Sequence, residues 1–247
     1  QRWINDNILS ALSPHACATG YVTGRSIRDH ASPHVDAGFV LTIDLENFFP
    51  TISFSRVISI FRGLGYSGQV STSLAKLCCL DNVLPQGAPT SPSLSNIVCK
   101  RLDEKLERFA IESGLRYTRY VDDMCFSGGE IKKHTLDEIE KIVSSEGFRT
   151  NKSKTHLHAP RSNLKLVTGV NVALGKMSLP KSYKRAISTD LFHIEKYGLR
   201  SHLAKRKIRD PNYIEALVGK VGYWLFIEPE NKRAQHYKQV LAQFVNI

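Results

Sequence analysis

The run FVLTIDL at 39–45 is apolar and β-branched up to its penultimate residue, and it predicts a buried strand ending at Asp44. Residues 53–79 carry a helical pattern interrupted by Gly63, Gly65 and Gly68. From Ser93 to Ser113, Leu94, Ile97, Val98, Leu102, Leu106 and Phe109 recur at the spacing of one helix face, and Gly114 supplies the stop. Two short strands follow, at 116–121 and 124–127, joined at Asp122-Asp123 and ending on Gly128-Gly129. A helix is predicted over 134–146, closed by Gly147, and HLHAPRSNLKLVTGVNVA then reads as short strands with a turn. From about 181 the chain is mainly helical and basic, and PNYIEALVGKVGYWLFI forms a helix with an apolar face. Strands and helices alternate without internal repeats. The composition shift at 175–180, marked by Gly175 and Pro180, sets the predicted domain boundary.

At 247 residues and 42% apolar composition, the chain is long enough for a substantial core. No apolar run reaches the length that crosses a bilayer, and no signal-peptide pattern opens the chain, so no membrane partner is expected. It begins on Gln1 and not on Met, which points to a truncated or processed N-terminus. The five cysteines form no CxxC pair and are odd in number, which fits a reducing cytosol better than a disulfide framework or a zinc ribbon.

Charge changes the picture because of its placement. Of the net charge of +11, the whole excess lies in residues 152–209, where 14 Lys and Arg face two acids, Asp190 and Glu195. A solvated helix face explains such a block, and so does a surface that meets many phosphates. Composition leaves the two open.

The chemistry concentrates on the acids. A single carboxylate at a strand end, such as Asp44, is ordinarily a turn or cap residue. Two adjacent ones in an apolar hairpin, Asp122 and Asp123, repel each other and need a counter-charge. Mg²⁺ prefers hard oxygen ligands, and three carboxylates converging from adjacent strands suit two ions about 3.5–4 Å apart. That arrangement activates a 3′-hydroxyl and stabilises a leaving pyrophosphate. Upstream, LPQGAPTSP at 84–92 precedes a helix N-terminus, and its small residues around Gln86-Gly87 leave the backbone open to a base and sugar. The aromatic pair Phe48-Phe49 follows Asp44, where a ring beneath a sugar excludes a 2′-hydroxyl.

The ordered series DLENFF, LPQGAPTSP, YVDD, NKSKT and LVTGV resembles the palm motifs of reverse transcriptases over roughly residues 40–170. Val167-Thr168-Gly169 and HASPH at 30–34 resemble elements of the bacterial retron-type enzymes, although His30 stands where that family has Asn. The resemblance implies an α+β fold: a polymerase palm, with an antiparallel sheet packed on helices, over 39–175. Residues 1–38 would be partial fingers and palm entry, and 176–247 a mainly helical thumb. It implies that Asp44, Asp122 and Asp123 hold two Mg²⁺ ions, for which Mn²⁺ can substitute, helped by the Leu45 backbone carbonyl. It implies nucleotide contacts for Phe49 as steric gate, for Gln86 and Gly87, and for Lys154 as the group protonating pyrophosphate. Tyr120, Val167, Thr168, Gly169, Ala31 and His34 would support primer or RNA.

The implied activity is RNA-directed DNA synthesis from dNTPs on a structured, cognate non-coding RNA, yielding DNA. The implied setting is the bacterial cytoplasm and a retron system with branched RNA–DNA, an anti-phage role and an effector protein partner. In this family a fingers segment with triphosphate-binding residues precedes the point where this chain starts, and Arg25 is the nearest basic candidate in its place. Under this resemblance no RNase H domain is expected after the thumb. Two alternatives stand beside this reading. One is a group II intron-like, diversity-generating or other defence-associated reverse transcriptase. The other is an RNA-binding module with a catalytically compromised palm. A further option, metal binding by His30 and His34 at i, i+4, lacks additional spaced ligands.

Overall fold

The computed structural model describes residues 1–132 and 134–244. In chain order its elements are α1 (Arg2–Asn7), α2 (Ile27–Ala31), β1 (Phe39–Leu45), α3 (Phe48–Thr51), α4 (Phe54–Gly63), α5 (Gly68–Cys78), α6 (Ser91–Val98) and α7 (Lys100–Glu112). They continue with β2 (Arg116–Tyr120), β3 (Asp123–Gly128), α8 (Thr135–Ser145), β4 (Thr150–His158), β5 (Leu166–Val167) and β6 (Val170–Asn171). The last four helices are α9 (Lys181–Tyr197), α10 (Leu199–Arg206), α11 (Tyr213–Ile227) and α12 (Lys232–Ala242). The strand predicted at 39–45 is β1, and the glycine-broken helix of 53–79 is the pair α4 and α5. The single helix predicted over 93–113 is two, α6 and α7, divided at the fully buried Cys99, whose ψ of −6° takes it out of the helical range.

The main sheet is antiparallel with strand order β2-β3-β1-β4. Side chains alternate across it, which sorts the residues of the central strands between two cores. Leu41, Ile43 and Leu45 of β1 pack with Phe126 and with Leu102 and Leu106 of α7. Val40 of β1 and Cys125 of β3 face the other way, into a second core with Val167, Val170, Leu191, Leu217 and Trp224. The palm sheet is thus packed on helices on one face, an α+β arrangement. Its other face is partly roofed by the β5-β6 hairpin and the C-terminal helices. The uncovered part of that second face carries Thr42, Asp44 and Asp123.

Four polar side chains seal the entry to β1. Thr118 Oγ1 lies 2.7 Å from His30 Nδ1 and 2.7 Å from His34 Nε2, and His34 Nδ1 lies 2.7 Å from Ser127 Oγ. These bonds occupy both imidazole nitrogens of His34 and Nδ1 of His30, so the pair is held as a hydrogen-bonded cluster. Burial, reinforced by Arg116 and Arg119, holds both histidines down to a pKa of about 3. An unfolded histidine takes up its proton near pH 6.5, so below that pH the unfolded chain binds protons that the folded one refuses. Their contribution to stability is intact above pH 6.5 and is lost as pH falls toward 3. Between pH 7 and 5 the loss is about 2 kcal/mol for each histidine. Urea unfolding at the two pH values checks this, and equal stabilities would contradict it.

Candidate active site

Asp44 lies at the end of β1 directly opposite Asp123, the first residue of β3, and the Leu45 N–H donates to the Asp122 carbonyl at 3.0 Å. Two backbone facts therefore bring the three aspartates of the sequence to one end of one sheet. The register of β1 on β4 shifts between Thr42 and Asp44, an irregularity of the kind that re-aims side chains beside functional sites. Lys154, on the edge strand β4, donates from Nζ to Asp44 Oδ1 at 2.9 Å, and Thr168 Oγ1 donates to Asp123 Oδ2 at 3.1 Å. Burial raises the pKa of both Asp122 and Asp123. The Asp44 charge adds to the rise at Asp122, and the Asp122 and Asp44 charges add to it at Asp123. The ammonium of Lys154 is shifted upward in turn by its bond to Asp44 and by that carboxylate's charge.

The turn joining β2 to β3 is itself constrained. Val121 sits at φ +61°, a left-handed conformation that a β-branched residue adopts at a cost of about 1–3 kcal/mol. Beneath it lies Arg119, completely buried, which donates from Nε and Nη2 to the two oxygens of Asp103 at 2.8 and 2.7 Å. Its Nη1 donates to the Val121 carbonyl at 2.9 Å and to Asn96 Oδ1 at 3.1 Å. Tyr117 OH also donates to Asp103, at 2.8 Å. Burial alone would lower the Arg119 pKa; the adjacent Asp103 carboxylate reverses this, and the guanidinium remains charged. Sequence reasoning missed this network. Its available signal was an arginine in the inward register of a strand, facing a helix whose buried stripe includes an aspartate.

The other expected site residues fall in three groups. Near the aspartates are Tyr120, which ends β2 and pairs with Asp123, and the hairpin turn Thr168-Gly169 between β5 and β6. Both turn residues have positive φ, 44° and 83°, as a two-residue turn of this hand requires. Val167 beside them is buried in the second core. Phe49, in α3 just past β1, is half-buried with its ring 5.3 Å from that of Phe48. Gln86 and Gly87 lie exposed on the loop before α6. At Gly87 φ is +85° with open space around the Cβ position, so backbone conformation and not crowding selects glycine. Ala31 and His34 are fully buried, with His34 bound to Thr118 and Ser127. Their side chains present no surface to an RNA.

The donor set at the sheet end suits a hard divalent cation. Three aspartates are brought to that end of the sheet, and burial and mutual repulsion disfavour the charge on two of them. They stand apart, with Lys154 and Thr168 each bonded to one oxygen. Among the described residues, the one trio of His, Cys, Asp or Glu side chains with donor atoms all within 4.8 Å is His15, Cys17 and Glu107. There Cys17 Sγ donates to Glu107 at 2.9 Å, and burial followed by that bond pushes the thiol pKa up, so the trio is explained as a protonated hydrogen-bonded cluster.

The geometry agrees with what comparison finds. The family described as "Reverse transcriptase (RNA-dependent DNA polymerase)" matches residues 2–208. The retron Ec86 reverse transcriptase of Escherichia coli is 40% identical over 196 residues, covering 78% of this chain and 61% of that protein. The retron Mx162 reverse transcriptase of Myxococcus xanthus is 29% identical over 264 residues, covering 95% and 54%. This chain therefore spans little more than half the length of these relatives. Among solved structures, telomerase from Candida albicans in complex with a TWJ fragment of telomeric RNA aligns with a TM-score of 0.43. The identity is 11%, over 84% of this chain and 46% of that one. With a match across most of its length, the chain belongs to the reverse transcriptase (RNA-dependent DNA polymerase) family, and within it to the bacterial retron type.

Proposed function

We propose that this chain is the polymerase core of an RNA-directed DNA polymerase that copies a structured, cognate non-coding RNA in a retron system. The observation that carries the reading is the pairing of Asp44 with Asp123, which together with the Leu45 N–H bond to the Asp122 carbonyl brings three aspartates to one end of the sheet. Asp44, Asp122 and Asp123, with the Leu45 carbonyl, would hold two Mg²⁺ ions, or Mn²⁺ in their place. Bound there, such ions activate a primer hydroxyl and stabilise charge on the departing pyrophosphate.

The protein's own groups supply position and charge. Lys154, already ion-paired at the site and largely exposed, can swing to a triphosphate and donate a proton to pyrophosphate. Gln86 and Gly87 offer an open backbone to the incoming dNTP, and Tyr120 and the Val167-Thr168-Gly169 hairpin flank the primer end. Residues 1–38 serve as partial fingers and palm entry, 39–175 as palm and 176–247 as thumb. In the last segment a groove of about 790 Å³ is lined by Lys181, Lys184, Arg185, Phe192, Trp224 and Arg233. The buried Ser188 Oγ and Trp224 Nε1 on its wall have no hydrogen-bond partner among the described residues. Cations beside aromatic rings are the chemistry that receives phosphates and unstacked bases of RNA. A bacterial cytoplasmic setting, a role against phage and an effector protein partner belong to this proposal. Among the described residues, no helix is long and apolar enough to cross a membrane.

The test is to incubate the purified chain with its cognate RNA, labelled dNTPs and Mg²⁺, then to digest the product separately with RNase and DNase. A labelled DNA joined covalently to RNA supports both polymerase and branched priming; bound RNA with no incorporation under Mg²⁺ or Mn²⁺ defeats the polymerase reading. Within the same assay, Phe49→Ala is expected to reduce the preference for dNTPs over rNTPs on the order of 10–100-fold. The ratio of the two kcat/KM values measures this, and an unchanged ratio removes Phe49 as the gate.

A further inference from the structure

The interior of the palm contains charged machinery that the reaction chemistry does not call on. Arg119 is wholly buried beneath the turn that carries Asp122 and Asp123, and it spends four hydrogen bonds there: two on Asp103, one on Asn96 and one on the Val121 carbonyl. Asn96 passes the connection on, donating from Nδ2 to the Gly20 carbonyl at 2.9 Å. Gly20 in turn lies against the other side of the same turn. A Cβ placed on it would meet Val121 Cγ2 at 2.7 Å, the Val121 nitrogen at 2.8 Å and the Tyr120 carbonyl carbon at 3.2 Å. The strand-like segment leading to Gly20 is itself tied to Arg119, whose N–H donates to the Cys17 carbonyl and whose carbonyl accepts from Thr19 N–H.

We infer that Arg119 is a positioning residue for the metal-binding turn. Its fork, fixed by Asp103, and the Asn96-Gly20 connection clamp Val121 from two sides in its left-handed conformation. Asp122 and Asp123 are thereby presented in one arrangement toward Asp44. The inference rests on the reading of these three aspartates as metal ligands.

The geometry separates this role from that of an ordinary buried ion pair. A pair serving only stability needs opposite charges, and replacing both with apolar groups of similar size is commonly tolerated. A clamp needs a planar donor array in which one face meets the carboxylate and the remaining N–H groups reach Val121 and Asn96. Lysine conserves the charge but offers a single ammonium and cannot reproduce that fork. The backbone angle of Val121 makes the donor matter. With the carbonyl released, the Arg119 side of the turn no longer holds the left-handed angle, and the two carboxylates that follow Val121 shift as the turn relaxes.

The experiment uses the full chain and Mn²⁺ alone as probe. Free Mn²⁺ is followed by electron paramagnetic resonance during titration of the wild type, Asp122→Asn, Arg119→Lys, the double variant Asp103→Leu/Arg119→Met, and Asn96→Ala. Circular dichroism and thermal melting establish the folded fraction of each. Folded Arg119→Lys and the folded double variant are expected to bind Mn²⁺ about 10–100-fold more weakly than wild type, the usual effect of removing a group that orients metal ligands. Asn96→Ala, which keeps the ion pair, should lose less. Primer extension on the same proteins should show a matching rise in the Mg²⁺ concentration giving half-maximal rate. Wild-type Mn²⁺ affinity in a folded Arg119 variant overturns the inference, and so does a loss that merely tracks the unfolded fraction. Equal binding by wild type and Asp122→Asn would instead overturn the ligand assignment. Binding that depends on Asp122 in a wild type that incorporates no nucleotide would defeat the polymerase reading and leave the positioning result standing.

Discussion

Asp122→Asn is expected to lower primer extension by at least about 10³-fold, equivalent to about 4 kcal/mol of barrier, while RNA affinity changes by less than about twofold. The asymmetry follows from where the residue sits. Asp122 lies at the tip of the β2-β3 turn, on the uncovered part of the palm face, and its raised pKa shows a carboxylate that burial and Asp44 already disfavour. Asparagine keeps the size and removes the charge that a divalent cation would compensate. The groove of lysine, arginine and aromatic side chains among the C-terminal helices is on other elements and is untouched. Steady-state extension, paired with filter binding of the same RNA, reads both quantities. Extension retained within tenfold would remove Asp122 from the ligand set, and a parallel loss of RNA binding would point to damage of the fold.

Asp103→Ala should cost about 3–5 kcal/mol of stability, the largest effect expected of a single substitution distant from the surface. It leaves the Arg119 guanidinium buried with no counter-charge and strips Tyr117 OH of its acceptor. The folded state of a domain this size is ordinarily favoured by only about 5–15 kcal/mol, so much of the chain's margin is at stake. Urea unfolding of the wild type, the single variant and Asp103→Leu/Arg119→Met measures it. The double variant should be much the more stable of the two, because it removes the stranded charge along with its partner. A single variant within about 1 kcal/mol of wild type would show that water reaches Arg119 and that the network is not closed.

What could be read from the chain in advance follows the physical range of each signal. Strand β1 announced itself as a continuous apolar, β-branched run and the β2-β3 hairpin as two short strands ending on Gly128-Gly129. Gly114 and Gly147, both at positive φ in the fold, marked helix ends. Asp122 and Asp123 stood out because like charges in an apolar setting violate a local expectation. Asp44, a lone carboxylate at a strand end, drew attention only through the motif order that includes DLENFF. The division at Cys99 was not legible, since the apolar stripe from Leu94 to Phe109 runs through it without a glycine or proline. Arg119 and Asp103 escaped for another reason. Their partnership joins a strand to a helix, and from the sequence each is simply one more charge among the chain's 34 basic and 23 acidic residues. His34 shows the opposite error. Its motif suggested a surface facing RNA, whereas Thr118 and Ser127, far along the chain, supply the partners that make its burial tolerable. Thr168 was expected at the primer, and its bond to Asp123 adds a contact with a carboxylate that no local pattern encodes.

The second core has a mechanical consequence. Val40 and Cys125 come from the sheet, Val167 and Val170 from the hairpin beside Asp123, and Leu191, Leu217 and Trp224 from the C-terminal helices, all in one apolar cluster. A cut near residue 175 would leave a hydrophobic surface on both fragments, so the helical segment is not a removable appendage. Any tilt of α9 or α11 is transmitted, through close-packed side chains, to the same face of the strands that bears Asp44 and Asp123. The C-terminal helices and the strands bearing the aspartates therefore share a single foundation, and strain applied at one is felt at the other.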